Sequence, residues 1–162
     1  MKKHNKGFTL VELLLATAMV AVIIGALAFM FQVVVGSWST QGARAGLGVS
    51  VSKAVREMAL DLRNAKEIGS VNANEIRFTA DGTTYYIYYL YNTAGSYQLK
   101  KTTLSGGING TFVSGSGNLI ARDILPPPTS TLSAGVPITI DLTAQRGNSI
   151  IRSALKVRPR NI

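Results

Sequence analysis

Cysteine is absent from this 162-residue chain, and histidine occurs once, as His4. No disulfide framework can hold the fold, and no thiolate is available as nucleophile or metal ligand. Beyond the first few residues the chain offers neither Cys nor His, which excludes most nucleophile–base pairs and transition-metal sites. Acidic residues are also scarce, 8 against 17 Lys and Arg, for a net charge of +9. Asp123 and Asp141 are isolated, and neither a calcium-loop spacing nor a phosphate-binding glycine motif is present. Glu57 and Asp61 share a helix face, but two acids one turn apart beside basic residues are ordinarily just solvated. The inventory reads as a non-enzyme with no cofactor and no metal.

What the chain does have is a long apolar run. From Leu13 to Phe31 the only polar side chain is Thr17, and Val33 to Val35 extend the stretch. That suffices for one transmembrane helix, which needs about 20 mostly apolar residues. Lys2, Lys3 and Lys6 precede it and Arg44 is the next basic residue, so the positive-inside rule puts the N-terminus in the cytoplasm and the remainder outside. One carboxylate, Glu12, sits at the head of the run. An ionisable group among lipid-facing positions is costly and by default marks a functional site.

An ordinary secretory signal is one reading of this terminus, with Ala16-Thr17-Ala18 and Ala26-Leu27-Ala28 as small-x-small cut sites. A cut after Ala18 would leave Met19 to Val35 as a greasy new terminus, and Glu12 would oppose insertion from within the h-region. The other reading is a resemblance. Lys6-Gly7-Phe8-Thr9-Leu10-Val11-Glu12 resembles the class III signal of type IV prepilins and of the pseudopilins of type II secretion. The shared features are a short basic leader, Gly-Phe, and Glu at the fifth position after the cut. The resemblance implies that a prepilin peptidase cleaves between Gly7 and Phe8 and methylates the new Phe8 amine. It also implies that the apolar helix stays on the protein as its assembly element. Glu12 would then be the assembly contact, paired with the Phe8 amine of a neighbouring subunit. A buried carboxylate is tolerable only when paired, so such a contact can set axial stagger.

Past the span, Trp38 is placed as an interfacial anchor. Val51, Val55, Met58, Leu62 and Ala65 recur at spacings of four and three, one apolar helical stripe, with Lys53–Glu57 and Arg63–Glu67 as i,i+4 pairs. Gly69 is the expected stop. Gly42, Gly46 and Gly48 mark where the long helix should bend or melt, each costing about 1 kcal/mol relative to Ala.

Strand signals follow. Ile76 and Phe78 alternate with Glu75, Arg77 and Thr79. Asp81-Gly82 reads as a two-residue hairpin turn. Thr83 to Tyr91 is dense in tyrosine, and a turn through Asn92 to Gly95 leads to Tyr97–Thr103. Tyrosines on both faces of the middle strand suggest either a stacking platform or cross-strand packing. Ser105 to Asn118 is glycine-rich and loop-like, and Pro126-Pro127-Pro128 is a stiff connector. Ile138, Ile140 and Leu142 alternate with polar residues, Gly147-Asn148 turns the chain, and Ile151, Leu155 and Val157 face inward.

The expected fold class is α+β, a long N-terminal helix packed on a largely antiparallel sheet, which is pilin-like. Its parts are a cleaved leader (1–7), an assembly helix (8–35), an amphipathic continuation with a glycine-rich bend (36–69) and a sheet domain (70–162). The order of elements and the Arg-Pro-Arg-Asn ending look like the J-type minor pseudopilins and W-type minor pilins. This implies a single-pass protein of the bacterial cytoplasmic membrane whose partners are the peptidase and other pilin or pseudopilin subunits. Basic residues in the second half, Lys100, Lys101, Arg146, Arg152, Lys156, Arg158 and Arg160, read as a solvated positive face or as a site for an acidic partner or nucleic acid. Two alternatives follow: a pilin-like DNA-binding subunit of an uptake machine, or a single-span anchored domain that never assembles.

Overall fold

A computed structural model describes residues 9–70, 72, 74–135 and 137–160, the side chain of Ser39 excepted. One helix, α1 (Leu10–Arg63), is followed by β1 (Glu67–Gly69), β2 (Glu75–Thr79), β3 (Tyr85–Thr93), β4 (Ser96–Leu104), β5 (Asn118–Ile124), β6 (Thr131–Ser133), β7 (Ile138–Arg146) and β8 (Ser149–Val157). The chain forms two compact units, divided between Gln41 and Gly42.

In the first unit, every described side chain from Thr9 to Gln41 is exposed, and the helix is long and apolar enough to cross a membrane. The Thr17 hydroxyl donates back to the carbonyls of Leu13 (3.1 Å) and Leu14 (2.9 Å), so it needs no water. Helical hydrogen bonding continues through Gly42, Gly46 and Gly48. These glycines do not melt it.

The second unit is a helix on a sheet. All strand pairs are antiparallel, in the order β1-β2-β3-β4-β5-β7, with β6 and β8 also paired to β7. Val51, Val55, Met58, Leu62 and Ala65 are all buried, joined by Leu47 and Ala54, and they meet Ile76, Phe78, Tyr88, Leu99, Ile140 and Leu142 from the sheet. The helix ends at Arg63 rather than Gly69. Asn64 N and Ala65 N bond to the carbonyls three residues back, tightening the last turn. Lys66 N then donates to Thr79 O (2.8 Å), which starts the β1–β2 pairing and places Gly69 opposite Arg77.

Several local expectations need correction. Asp81-Gly82 is not a two-residue turn, because Thr79 pairs with Tyr85 across a five-residue connection. The Asp81 carboxylate organises that loop by accepting from the amides of Thr83 and Thr84 (both 2.8 Å) and from the Thr79 hydroxyl (3.1 Å). The backbone donors of Thr84 and then Thr83 hold its pKa well below the usual carboxylate range. The true two-residue turns are Ala94-Gly95 and Gly147-Asn148. Strands β5 and β6 lie where sequence periodicity is weak. Leu155 is 39% exposed instead of inward. Neither i,i+4 pair forms an ion pair: Arg63 is the last helical residue, so Glu67 is off the helix, and an exposed pair such as Lys53–Glu57 gains too little to order two long side chains.

β2 is buried on both faces, including Glu75, Arg77 and Thr79. The glycine-rich segment 105–117 covers the second face over Ile87, Tyr89 and Leu104. Arg77 pairs with Glu75 (2.8 Å) and donates to the carbonyls of Ile108 (3.2 Å) and Gly110 (2.8 Å). A Cβ at Gly110 would lie 2.1 Å from Ser105 O, and one at Gly117 2.3 Å from Lys101 O. Glycine at these two positions lets the segment lie flat against the sheet.

Two predictions follow from this packing. Arg77→Leu leaves the Glu75 carboxylate buried without its guanidinium and should cost about 3–5 kcal/mol in denaturant unfolding of the full chain; a loss under about 1 kcal/mol would contradict the burial of this pair. The Asp141 carboxyl is held low chiefly by its hydrogen bond from Arg152. A depressed folded pKa gives stability that is present above the unfolded value of about 3.9 and is lost as pH falls through the folded one. Asp141→Asn should therefore flatten the acid limb of thermal stability below about pH 4. An unchanged limb would show that the pair does not contribute.

Candidate functional site

The first turn of α1 carries the group singled out by the sequence. Glu12 is exposed, and its Oε2 accepts from both the Thr9 amide (3.1 Å) and the Thr9 hydroxyl (3.1 Å). In return the Glu12 amide donates to Thr9 Oγ1 (3.3 Å). Thr9 is thus the N-cap and Glu12 the N3 residue of a reciprocal capping box. The helix dipole favours negative charge at this end. Among the described residues one Glu12 oxygen, Oε2, is held by Thr9 and nothing donates to Oε1. Such a group can accept a hydrogen bond or a cation from another molecule without leaving its own helix uncapped.

Thr9 was missed as a functional residue by reading the charge alone. The signal that finds it is Thr-x-x-Glu directly before an apolar run. The other residues expected at this site, Lys2, Lys3, Lys6, Gly7 and Phe8, lie outside the described residues, as does His4.

The remaining candidates are accounted for inside the sheet unit. Asp61 is no solvated partner of Glu57: its Oδ2 accepts from Tyr88 Oη (2.6 Å) and Lys101 Nζ (2.5 Å). Burial, and then the bond to Asp61, pushes the Tyr88 phenol far up, so it remains a donor. Phe78 stacks with Tyr86 and Tyr88 at centroid separations of 5.6 and 5.5 Å, and Lys101 Nζ lies over all three rings. On the opposite face Tyr89 packs on Phe112 (4.7 Å), donates to Ser116 O (2.7 Å) and accepts from Gly115 N (3.1 Å). The tyrosines are packing residues rather than a platform for bases.

Four of the seven basic residues singled out in the second half are engaged as well. Lys100 donates to Gly115 O, Lys101 holds Asp61, Arg146 holds Asp123 and Arg152 holds Asp141. No group of three His, Cys, Asp or Glu side chains lies together among the described residues.

The capping box predicts a local effect. Thr9→Ala should cost the helix start about 1 kcal/mol, seen as roughly fivefold faster amide exchange in the first turn, whereas Thr9→Ser should retain protection. Equal exchange in the two variants would remove the cap.

Residues 2–28 match the family model for the prokaryotic N-terminal methylation motif. No curated protein and no solved structure matches the chain. The motif supports a type IV pilin-like protein and points to a structural subunit. A class III signal followed by an exposed apolar helix is consistent with anchoring in the inner membrane, and the long helix with its antiparallel sheet is an α+β, pilin-like arrangement.

Proposed function

We propose that this chain is a minor pilin or pseudopilin, of the J-type or W-type, assembled into the tip or shaft of a type II secretion pseudopilus or a type IV pilus. A prepilin peptidase removes residues 1–7 by cutting between Gly7 and Phe8, and the Phe8 amine is methylated. Lys2, Lys3 and Lys6 hold the leader in the cytoplasm, and the sheet unit lies outside the membrane. The observation that carries this reading is the methylation motif over residues 2–28, running into a helix whose apolar stretch up to Val35 has one carboxylate, Glu12, at its capped first turn.

The physical case rests on what Glu12 meets as subunits pack. Lipid and helix side chains are alike apolar, so moving the span from bilayer to filament changes little for Leu13 or Ile23. For the carboxylate it changes much, because the penalty for burying an ion is several kcal/mol unless it is paired. The amine of a neighbour's Phe8 supplies that pairing, and Oε1 is the oxygen left to receive it. A neighbour in the wrong axial register would bury the charge alone.

Mass spectrometry of the mature protein should find methylated Phe8 as the first residue; any other N-terminus sinks the proposal. Glu12→Gln should still be cleaved but enter sheared filaments roughly tenfold less or worse, as expected when a buried charge pair is lost. Full incorporation of that variant would take the assembly role away from Glu12.

A further inference from the structure

Acidic side chains in the sheet unit are mostly committed internally. Asp61, Glu75, Asp123 and Asp141 hold ion pairs, and Asp81 organises its loop. Glu57 and Glu67 hold no ion pair among the described residues, and Glu67 accepts from the Tyr85 hydroxyl (3.4 Å). The cations are not balanced in this way: Lys53, Arg56, Arg63, Lys156 and Arg158 are exposed and hold no ion pair among the described residues.

Those cations are arranged. On α1, Val49, Lys53, Arg56, Leu60 and Arg63 recur at spacings of four and three, one outward stripe. Val49 is 70% and Leu60 56% exposed. At Arg63 the stripe reaches a groove of about 580 Å³ between the helix end and β8, lined by Ala59, Arg63, Pro137 and the run from Leu155 to Arg158. Its apolar part is Ala59, Pro137, Leu155 and Val157; its charged part is Arg63, Lys156 and Arg158. Among the described residues β8 pairs only with β7, so its other edge carries backbone donors and acceptors with no described strand beside them.

We propose that this groove docks an extended acidic segment of a different subunit. Apolar side chains of the segment would cover Leu155 and the half-buried Ala59 and Pro137, and its carboxylates would meet Arg63 and Arg158. The open edge of β8 favours an extended occupant, since strand addition satisfies backbone groups while alternate side chains fill pockets. A second copy of this chain is the wrong partner, because among the described residues of its sheet unit only Glu57 and Glu67 lie outside these ion pairs and the Asp81 loop, Glu67 accepts from Tyr85, and Glu57 lines a different pocket beside Lys101. A lipid headgroup layer matches the cations but neither the apolar floor nor the strand edge. The proposal deepens the subunit reading and rests on it for the identity of the partner, while the groove itself can be tested independently.

The test uses the full chain in phosphatidylcholine nanodiscs and a labelled peptide of alternating leucine and glutamate. Binding is expected and should weaken with salt. Arg63→Glu combined with Arg158→Glu should weaken it by about tenfold or more, and Arg122→Glu, outside the groove, should leave it unchanged. A leucine–lysine peptide binding as well, or an unaffected double variant, would overturn the proposal. Phosphatidylglycerol vesicles binding in the peptide's place, with loss in the double variant, would assign these cations to lipid and likewise overturn it. In this cysteine-free chain, Leu155→Cys gives a clean crosslinking site, and efficient disulfide formation between two copies would overturn the choice of a different subunit. If the peptide binds but the mature N-terminus is not Phe8, the groove stands and the subunit reading falls. If Phe8 is methylated and the peptide does not bind, only the groove proposal falls.

Discussion

The burial of one face of α1, from Leu47 to Ala65, against the sheet is the constraint on which the second unit depends. With no cysteine to cross-link it, the fold has to be held by packing and hydrogen bonds. Fully buried side chains of the size of Met58, Leu62, Ile76 and Leu142 are worth about 1.5–3 kcal/mol each. Neither layer is expected to be stable alone: the sheet would expose an apolar face, and tertiary packing rather than propensity supplies most helix stability. Apolar contact is non-directional, so something else must set where the helix sits along and around its axis. Asp61 does this, accepting from Tyr88 and Lys101 at the helix–sheet boundary with short, charge-assisted bonds.

The opposite face of the sheet is closed by different means. Among the described residues no second helix lies there, and the glycine-rich segment 105–117 covers that face instead. It brings few large side chains, Phe112 and Ile108 among them, and is fastened by polar groups rising from the strands. Arg77, Tyr89 and Lys100 all bond to backbone atoms of this segment. A buried ion pair such as Glu75–Arg77 contributes little net stability compared with an apolar pair of the same volume. What it adds is direction, since a guanidinium aimed at two carbonyls accepts one placement of the loop.

Much of this architecture was legible in the sequence, and the failures have a common cause. The apolar stripe from Val51 to Ala65, the tyrosine-rich strand and the alternation of Ile138, Ile140 and Leu142 are periodic signals, and each marks an element that buries one face. β2 looked half-exposed because Glu75, Arg77 and Thr79 are polar, yet a loop far along the chain buries them. β5 and β6 carry no strong alternation: β6 is short, and β5 is bulged against β4. The Asp81 loop was misread because Asp-Gly is a local signal, whereas the register is fixed by Ile76, Phe78 and their partners on β3. At the N-terminus Glu12 was evident as a charge out of place. Its bond to Thr9 is written in the Thr-x-x-Glu spacing, a signal of geometry that the cost of burying the charge does not carry.

The two stretches of α1 pose opposite problems of specificity. From Val51 to Ala65 one face differs from the rest, so rotation about the axis is decided by the side chains themselves. From Leu13 to Val35 the helix is apolar on every side, and a helix of that kind is suited to an apolar surrounding but offers a neighbour no preferred face or height. Identical greasy surfaces can slide past one another at little cost. Under the proposed assembly a single carboxylate would break that degeneracy, because an unpaired ion is the one thing such an environment does not tolerate. For that group to define a position it must itself be fixed, and a free glutamate with three rotatable bonds is not. The bond to Thr9 removes that freedom through one oxygen and leaves the other available. In the proposed filament the capping box would make Glu12 usable as a point of register, and the apolar run around it would make such a point necessary.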